Sequence, residues 1–107
     1  MRRNFLTELI REQKPRRQCE FEAIVYYCRH GLREYTAQKV TVIEISTATC
    51  KVLCPVPDAI TGHVYLVVER MKAKIPCAVL RRGKEDVELK FYEEVPEIHV
   101  ARMCAMR

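Results

Sequence analysis

From Cys19 onward the chain alternates apolar and polar side chains with a period of two. Cys19, Phe21, Ala23 and Val25 fall on one side, and Glu20, Glu22 and Ile24 on the other, the pattern of a half-buried strand. "YTAQKVTVIEIS", 35–46, is a long strand rich in β-branched residues, and "TCKVLC", 49–54, is the next after a short bend. "HVYLVVE" and "AKIPCAVL" supply two more, and "RRGKED" is a hairpin turn into "VELKFYE". "RHGLRE" is a turn in which Gly31 is available for positive φ. "PVPDAITG" is a loop, because two prolines, Asp58 and Gly62 interrupt a ladder. Pro76 lacks an N–H to donate and predicts an edge position or a bulge for its strand.

Helical spacing is confined to the two ends. Phe5, Leu6, Leu9 and Ile10 recur at helical intervals behind Asn4 as N-cap, and Pro15 ends that segment. At the other end Pro96 opens a helix with Ile98, Ala101, Met103 and Ala105 on a loose apolar face. The expected fold is therefore mainly β: a small six-stranded antiparallel β-barrel with short terminal helices, whose closure hides the sheet edges. The whole of 1–107 reads as one domain, with a basic segment over 1–17, the barrel over 18–95 and the helix over 96–107.

Composition agrees with a globular domain. The 107 residues are 49% apolar and 31% charged. No apolar run approaches the roughly 18 residues of a membrane span, so no membrane insertion is expected. The basic N-terminus lacks an apolar signal core, which predicts a cytoplasmic protein. The six cysteines include no C-x-x-C pair, so neither a metal site nor a disulfide framework is predicted, and Cys19, Cys50 and Cys77 read as small buried hydrophobes.

Catalysis finds no motif. His30, His63 and His99 stand without a nucleophile elbow or a paired metal-binding motif, and three glycines do not make a phosphate cradle. Glu93 and Glu94 read as a solvated strand end rather than an acid/base couple. No enzyme activity, catalytic residue or cofactor is expected.

Positive charge is local. Arg2, Arg3, Arg11, Lys14, Arg16 and Arg17 crowd the first 17 residues against Glu8 and Glu12 only, while the chain as a whole carries +5. Such a cluster suits a compact phosphate-bearing ligand or an anionic partner, although charge alone favours a solvated basic terminus.

The basic "KPRRQCEFEAIV" precedes the first strand, and "IEISTATC", 43–50, ends the second with a carboxylate, a serine and two threonines. In order of strands and placement of these motifs, from about Arg11 to Tyr92, the chain resembles the PilZ domain family, β-barrel modules that bind the bacterial second messenger cyclic di-GMP. Typical members carry R-x-x-x-R before the first strand and D/N-x-S-x-x-G at the end of the second. Here Arg16 matches the second arginine, whereas Glu12 stands four residues earlier and the nearest arginine is Arg11. Glu44 replaces Asp or Asn, Ser46 matches, and Thr49 stands in place of glycine.

The resemblance implies that Arg11, Arg16 and Arg17 contact phosphate and guanine, that Glu44 and Ser46 read a base edge, and that Thr49 belongs to the same ligand site. The departures imply weakened or lost binding: one extra residue redirects the first arginine, and β-branched Thr49 is ill suited to a glycine's conformation. The chain is thus expected to be a non-catalytic signalling module. The alternative is a ligand-independent PilZ-like adaptor that binds an unidentified protein through its faces or its terminal helices, with Phe5, Leu9, Ile98 and Met103 as contacts. A third reading, single-stranded nucleic-acid binding through Tyr26, Tyr27 and Tyr35, is disfavoured because acidic residues adjoin these rings as often as basic ones.

Overall fold

β1 (Arg17–Cys28) and β2 (Tyr35–Ile45) are the longest strands of the computed structural model, which describes residues 16–28 and 35–106. They are followed by β3 (Thr49–Leu53), β4 (His63–Val68), β5 (Ala73–Arg82), β6 (Asp86–Phe91) and one helix, α1 (Glu97–Ala105). The strands pair antiparallel in the order β1-β2-β3-β6-β5-β4, and β4 pairs back onto β1 to close the barrel. The six-stranded antiparallel barrel predicted from the alternation is the observed fold. The expected N-terminal helix over 4–13, the turn over 29–34, and Phe5, Leu9, Arg11 and His30 lie outside the described residues. Among the described residues no helix is long and apolar enough to cross a membrane.

The inner face follows the period-two pattern. Phe21, Ala23, Val25 and Tyr27 of β1 are buried, as are Val64, Leu66 and Val68 of β4 and Val87, Leu89 and Phe91 of β6. Cys50 and Cys77 are wholly enclosed among them, where a thiol packs as a small hydrophobe. Fully burying a Leu or Val side chain contributes about 1.5–3 kcal/mol, so this cluster is the main stabilising element. Tyr27 points into the barrel rather than outward as a base platform, and its hydroxyl accepts from Gln38 Nε2 at 2.9 Å.

The closed sheet leaves Pro76 no open edge, and it is not at a bulge. It pairs with Tyr65 on β4, while the β5–β6 register begins only at Cys77↔Phe91, so its missing N–H interrupts no bond to β6. The face of α1 also differs from its sequence expectation. Val100 and Met103, three residues apart, are buried in the barrel's core cluster, while Ile98 is 64% exposed and Ala105 is exposed. Met103 is thus a core residue and not part of a free apolar stripe.

Three register shifts interrupt the ladders, and two of them decide where charges go. In β2, Val42 pairs with Val52 but Glu44 pairs with Lys51, so Ile43 is an extra residue. In β5, Val79 pairs with Leu89 but Arg81 pairs with Glu88, so Leu80 is extra. Strict alternation from Val40 and Val42 would aim Glu44 into the core, and alternation from Cys77 and Val79 would do the same to Arg81. Each bulge turns one charged side chain outward. The third shift, between Gln18 and Phe21 of β1, lies beside Glu44.

Candidate functional site

The two bulges converge on one patch of the barrel's outer wall. Glu44 of β2, Lys51 of β3, Glu88 of β6 and Arg81 of β5 stand in one transverse row, each in register with the next. Signs alternate along the row, the favourable arrangement for cross-strand neighbours. Arg16, immediately before β1, lies across it. Its Nε donates to Thr49 Oγ1 at 3.0 Å and its Nη1 to Glu88 Oε1 at 2.9 Å, with Glu44 Oε1 at 3.7 Å. Arg81 Nε donates to the other oxygen of Glu88 at 3.1 Å. Asp86 completes the cluster, 3.4 Å from Lys51 Nζ and 3.5 Å from Arg81 Nη2.

Arg16, Lys51 and Arg81 therefore face Glu44, Asp86 and Glu88, and the patch neutralises itself. The hydrogen bond from Arg16, joined by that from Arg81, holds the Glu88 carboxyl below its usual range, against the upward pull of partial burial. The hairpin that carries Asp86 turns at Gly83. The Gly83 N–H donates to the Asp86 carbonyl at 2.8 Å, and a Cβ at that position would collide with the Asp86 carboxylate.

Ser46 belongs to a different part of the stretch. It is only 2% exposed, and its Oγ accepts from the N–H groups of Ala48 at 3.1 Å and Thr49 at 3.0 Å. The Ser46 N–H donates to the Thr49 carbonyl at 2.8 Å, so the hydroxyl and backbone of one residue close the β2–β3 turn. The turn is tied down further: the carbonyls of Thr47 and Ala48 accept from Val95 and Phe91 N–H groups, both at 2.8 Å. Lys72 is the only non-glycine residue with positive φ among those described, so Thr49 occupies its position in ordinary extended backbone.

Of the six residues singled out by sequence, Arg16, Glu44 and Thr49 meet. Ser46 lies beneath them, its hydroxyl engaged in the turn and 3.3 Å from Thr49 Oγ1, so it joins the cluster through Thr49. Arg17 points elsewhere, to Glu97 Oε1 of α1 at 2.7 Å, as adjacent residues at a strand's start must diverge. Arg11 lies outside the described residues. Glu88, Arg81, Lys51 and Asp86 were not anticipated. Their sole sequence signal is that Glu88 is a polar position in the alternation of "VELKF", which says nothing of its partner. No protein-family model and no curated protein matches the chain.

A second feature joins β2, β4 and β5. Tyr35 and Tyr65 pack with ring centroids 6.1 Å apart, and Lys74 Nζ sits 4.4 Å from the Tyr65 ring centre, a cation–π contact. Tyr65 is in register with Tyr26 on β1. Tyr35 is 58% exposed, so this face presents an aromatic edge to solvent. Among the described residues no three His, Cys, Asp or Glu side chains converge as metal ligands.

Proposed function

We propose that this chain is a non-enzymatic, PilZ-like module that acts as a protein-interaction adaptor without control by cyclic di-GMP. The observation that carries this reading is the state of Arg16, whose guanidinium is held by Glu88 at 2.9 Å and Thr49 at 3.0 Å. A cyclic dinucleotide brings two phosphates and needs guanidinium donors that are free to fork onto them. Here it would have to displace a carboxylate, and its phosphates would then lie beside Glu88 and Glu44, a repulsive element that disfavours an anion. The aromatic face around Tyr35 and Tyr65 supports the adaptor reading, since tyrosines are enriched at protein interfaces.

A second reading is favoured by one fact: Arg16, Glu44 and Thr49, which the resemblance assigns to a single nucleotide site, do lie together. It is a receptor of weakened affinity. Calorimetric titration with cyclic di-GMP to about 100 µM, corresponding to about 5 kcal/mol of affinity, separates the two. The adaptor reading expects no saturable heat from the unaltered chain. Saturable heat that disappears in Arg16→Ala overturns it and supports the receptor.

A further inference from the structure

β5 begins before its ladder with β6 does. It pairs with β4 from Val68↔Ala73 to Tyr65↔Pro76, whereas its register with β6 starts only at Cys77↔Phe91. Backbone groups alternate in direction along a strand. The Pro76 carbonyl turns to the β6 side, where it accepts from the Tyr92 N–H at 3.1 Å, the last bond on that side. Lys74, two residues back, turns its N–H and C=O the same way, and among the described residues no backbone bond from outside the strands reaches it. Ala73, Lys74 and Ile75 therefore form a short stretch of strand with one side unpaired, a template for another chain.

Beside this stretch lies a cavity of about 430 Å³, lined by β5, by the segment 93–96 and by α1. Its apolar surface comes from half-buried Ala73 and Ile75 and from buried Val95 and Met103. Its exposed cations are Lys72, Lys74 and Arg102. Among the described residues none of the three is paired with a carboxylate. Lys74 lies over the Tyr65 ring instead, a contact that leaves its charge in place. Glu93, Glu94 and His99 also line the cavity, and Glu94 accepts from Thr47 Oγ1 at 3.1 Å.

We infer that this cavity is a strand-addition site for an acidic, extended segment of a partner protein. The segment lies beside Ala73, Lys74 and Ile75 and exchanges hydrogen bonds with the backbone of Lys74. Side chains of an added strand alternate as those of β5 do. Those beside Ala73 and Ile75 are apolar and meet Val95 and Met103. Those beside Lys72 and Lys74 are carboxylates, the opposite-charge cross-strand pairing that stabilises a sheet, and a basic segment is repelled there. The Arg16 patch offers no such preference, since its cations already face carboxylates. The inference rests on the adaptor reading, to which it adds a place and a partner chemistry.

The unaltered full chain, isotope-labelled, is titrated with a short synthetic peptide of alternating Glu and Val, capped at both ends, and its amide resonances are followed by NMR. The expected result is saturable movement of the Ala73, Lys74 and Ile75 amides and of those around Val95 and Met103, with half-saturation below about 1 mM and weakening as salt is added. Lys72→Glu combined with Lys74→Glu weakens binding at least about tenfold, through the loss of two charge-assisted contacts. Methylating the peptide's backbone nitrogens, or exchanging its Glu for Lys, abolishes saturation. No saturable movement, movement centred on Tyr35, equal binding of the N-methylated peptide, or the same amides moving with protein concentration alone would each overturn the assignment. The map comes from the unaltered chain, so a poorly folded variant does not remove the test. Failure here leaves the adaptor reading standing while cyclic di-GMP gives no saturable heat, and saturable heat overturns that reading whatever the peptide does.

Discussion

Arg16 and Glu88 are 72 residues apart in the chain, yet Arg16 Nη1 lies 2.9 Å from Glu88 Oε1 on the barrel's outer wall. The contact bridges the residue that leads into β1 and the middle of β6, which are not neighbours in the sheet. It is joined by Arg81 from the far side, so Glu88 is shared between two arginines.

A double-mutant cycle measures what this contact contributes. Arg16→Ala and Glu88→Gln should each destabilise the chain, and the pair together by less than their sum, with a coupling of about 0.5–1 kcal/mol for partly exposed groups in a network. Urea unfolding of the four proteins reads it. A coupling indistinguishable from zero removes the ion pair from the account of this patch.

Glu88 also predicts a response to acid. Folding lowers its pKa below the ordinary 4.5, because the folded state offers its carboxylate two guanidinium donors. The associated stabilisation is complete above the ordinary glutamate range and is lost as pH falls through the lowered value. The stability gap between the unaltered chain and Glu88→Gln should therefore narrow from pH 7 towards about pH 3 in urea titrations. A gap that widens in acid contradicts the assignment.

The bulge in β5 can be tested by removing its extra residue. Leu80 is 53% exposed, so Leu80→Ala should change stability by no more than about 0.5 kcal/mol. Deleting Leu80 makes Val79 and Arg81 consecutive, so a regular ladder keeps Val79 opposite Leu89 and aims Arg81 outward, still opposite Glu88. The deletion should therefore cost no more than about 1 kcal/mol beyond Leu80→Ala in urea unfolding. A loss of about 3 kcal/mol or more, the scale of a buried charge without its partner, would show that Arg81 has left the outer wall and that Leu80 is not a simple extra residue.

Ser46 should behave as a structural residue. Ser46→Ala leaves the Ala48 and Thr49 N–H groups without their shared acceptor at a site only 2% exposed. The expected loss is about 1–3 kcal/mol, measured by thermal or urea unfolding. A change below about 0.5 kcal/mol, the range of a neutral surface substitution, would mean that other acceptors replace the hydroxyl.

Part of this arrangement is legible in the chain and part is not. The motif pattern draws the eye to Arg16, Glu44, Ser46 and Thr49; Arg16 meets Glu44 and Thr49, and Ser46 joins them through Thr49 Oγ1. Glu88, Arg81, Lys51 and Asp86 pass unnoticed, because charged residues in "TCKVLC" and around "RRGKED" look like any solvated strand or hairpin. Glu44 and Ser46 look alike in sequence, two polar residues two positions apart at a strand's end. The bulge at Ile43 turns Glu44 outward, and the turn that begins after Ile45 then buries Ser46, two residues further on. The helix misleads similarly: Ile98 and Met103 both suit an apolar face, and only docking decides that Met103 enters the core while Ile98 stays 64% exposed.

The sequence by itself determined the strands, their turns and the mainly β class, because side-chain alternation and turn chemistry are properties of neighbouring residues. Barrel closure, the register of each pair and the places where register slips were decided by tertiary structure alone. Those depend on which distant strands meet and how their inner faces pack. The ion-pair patch is the product of both: local sequence supplied the charges, and the bulges at Ile43 and Leu80 turned two of them out of the core to face their partners.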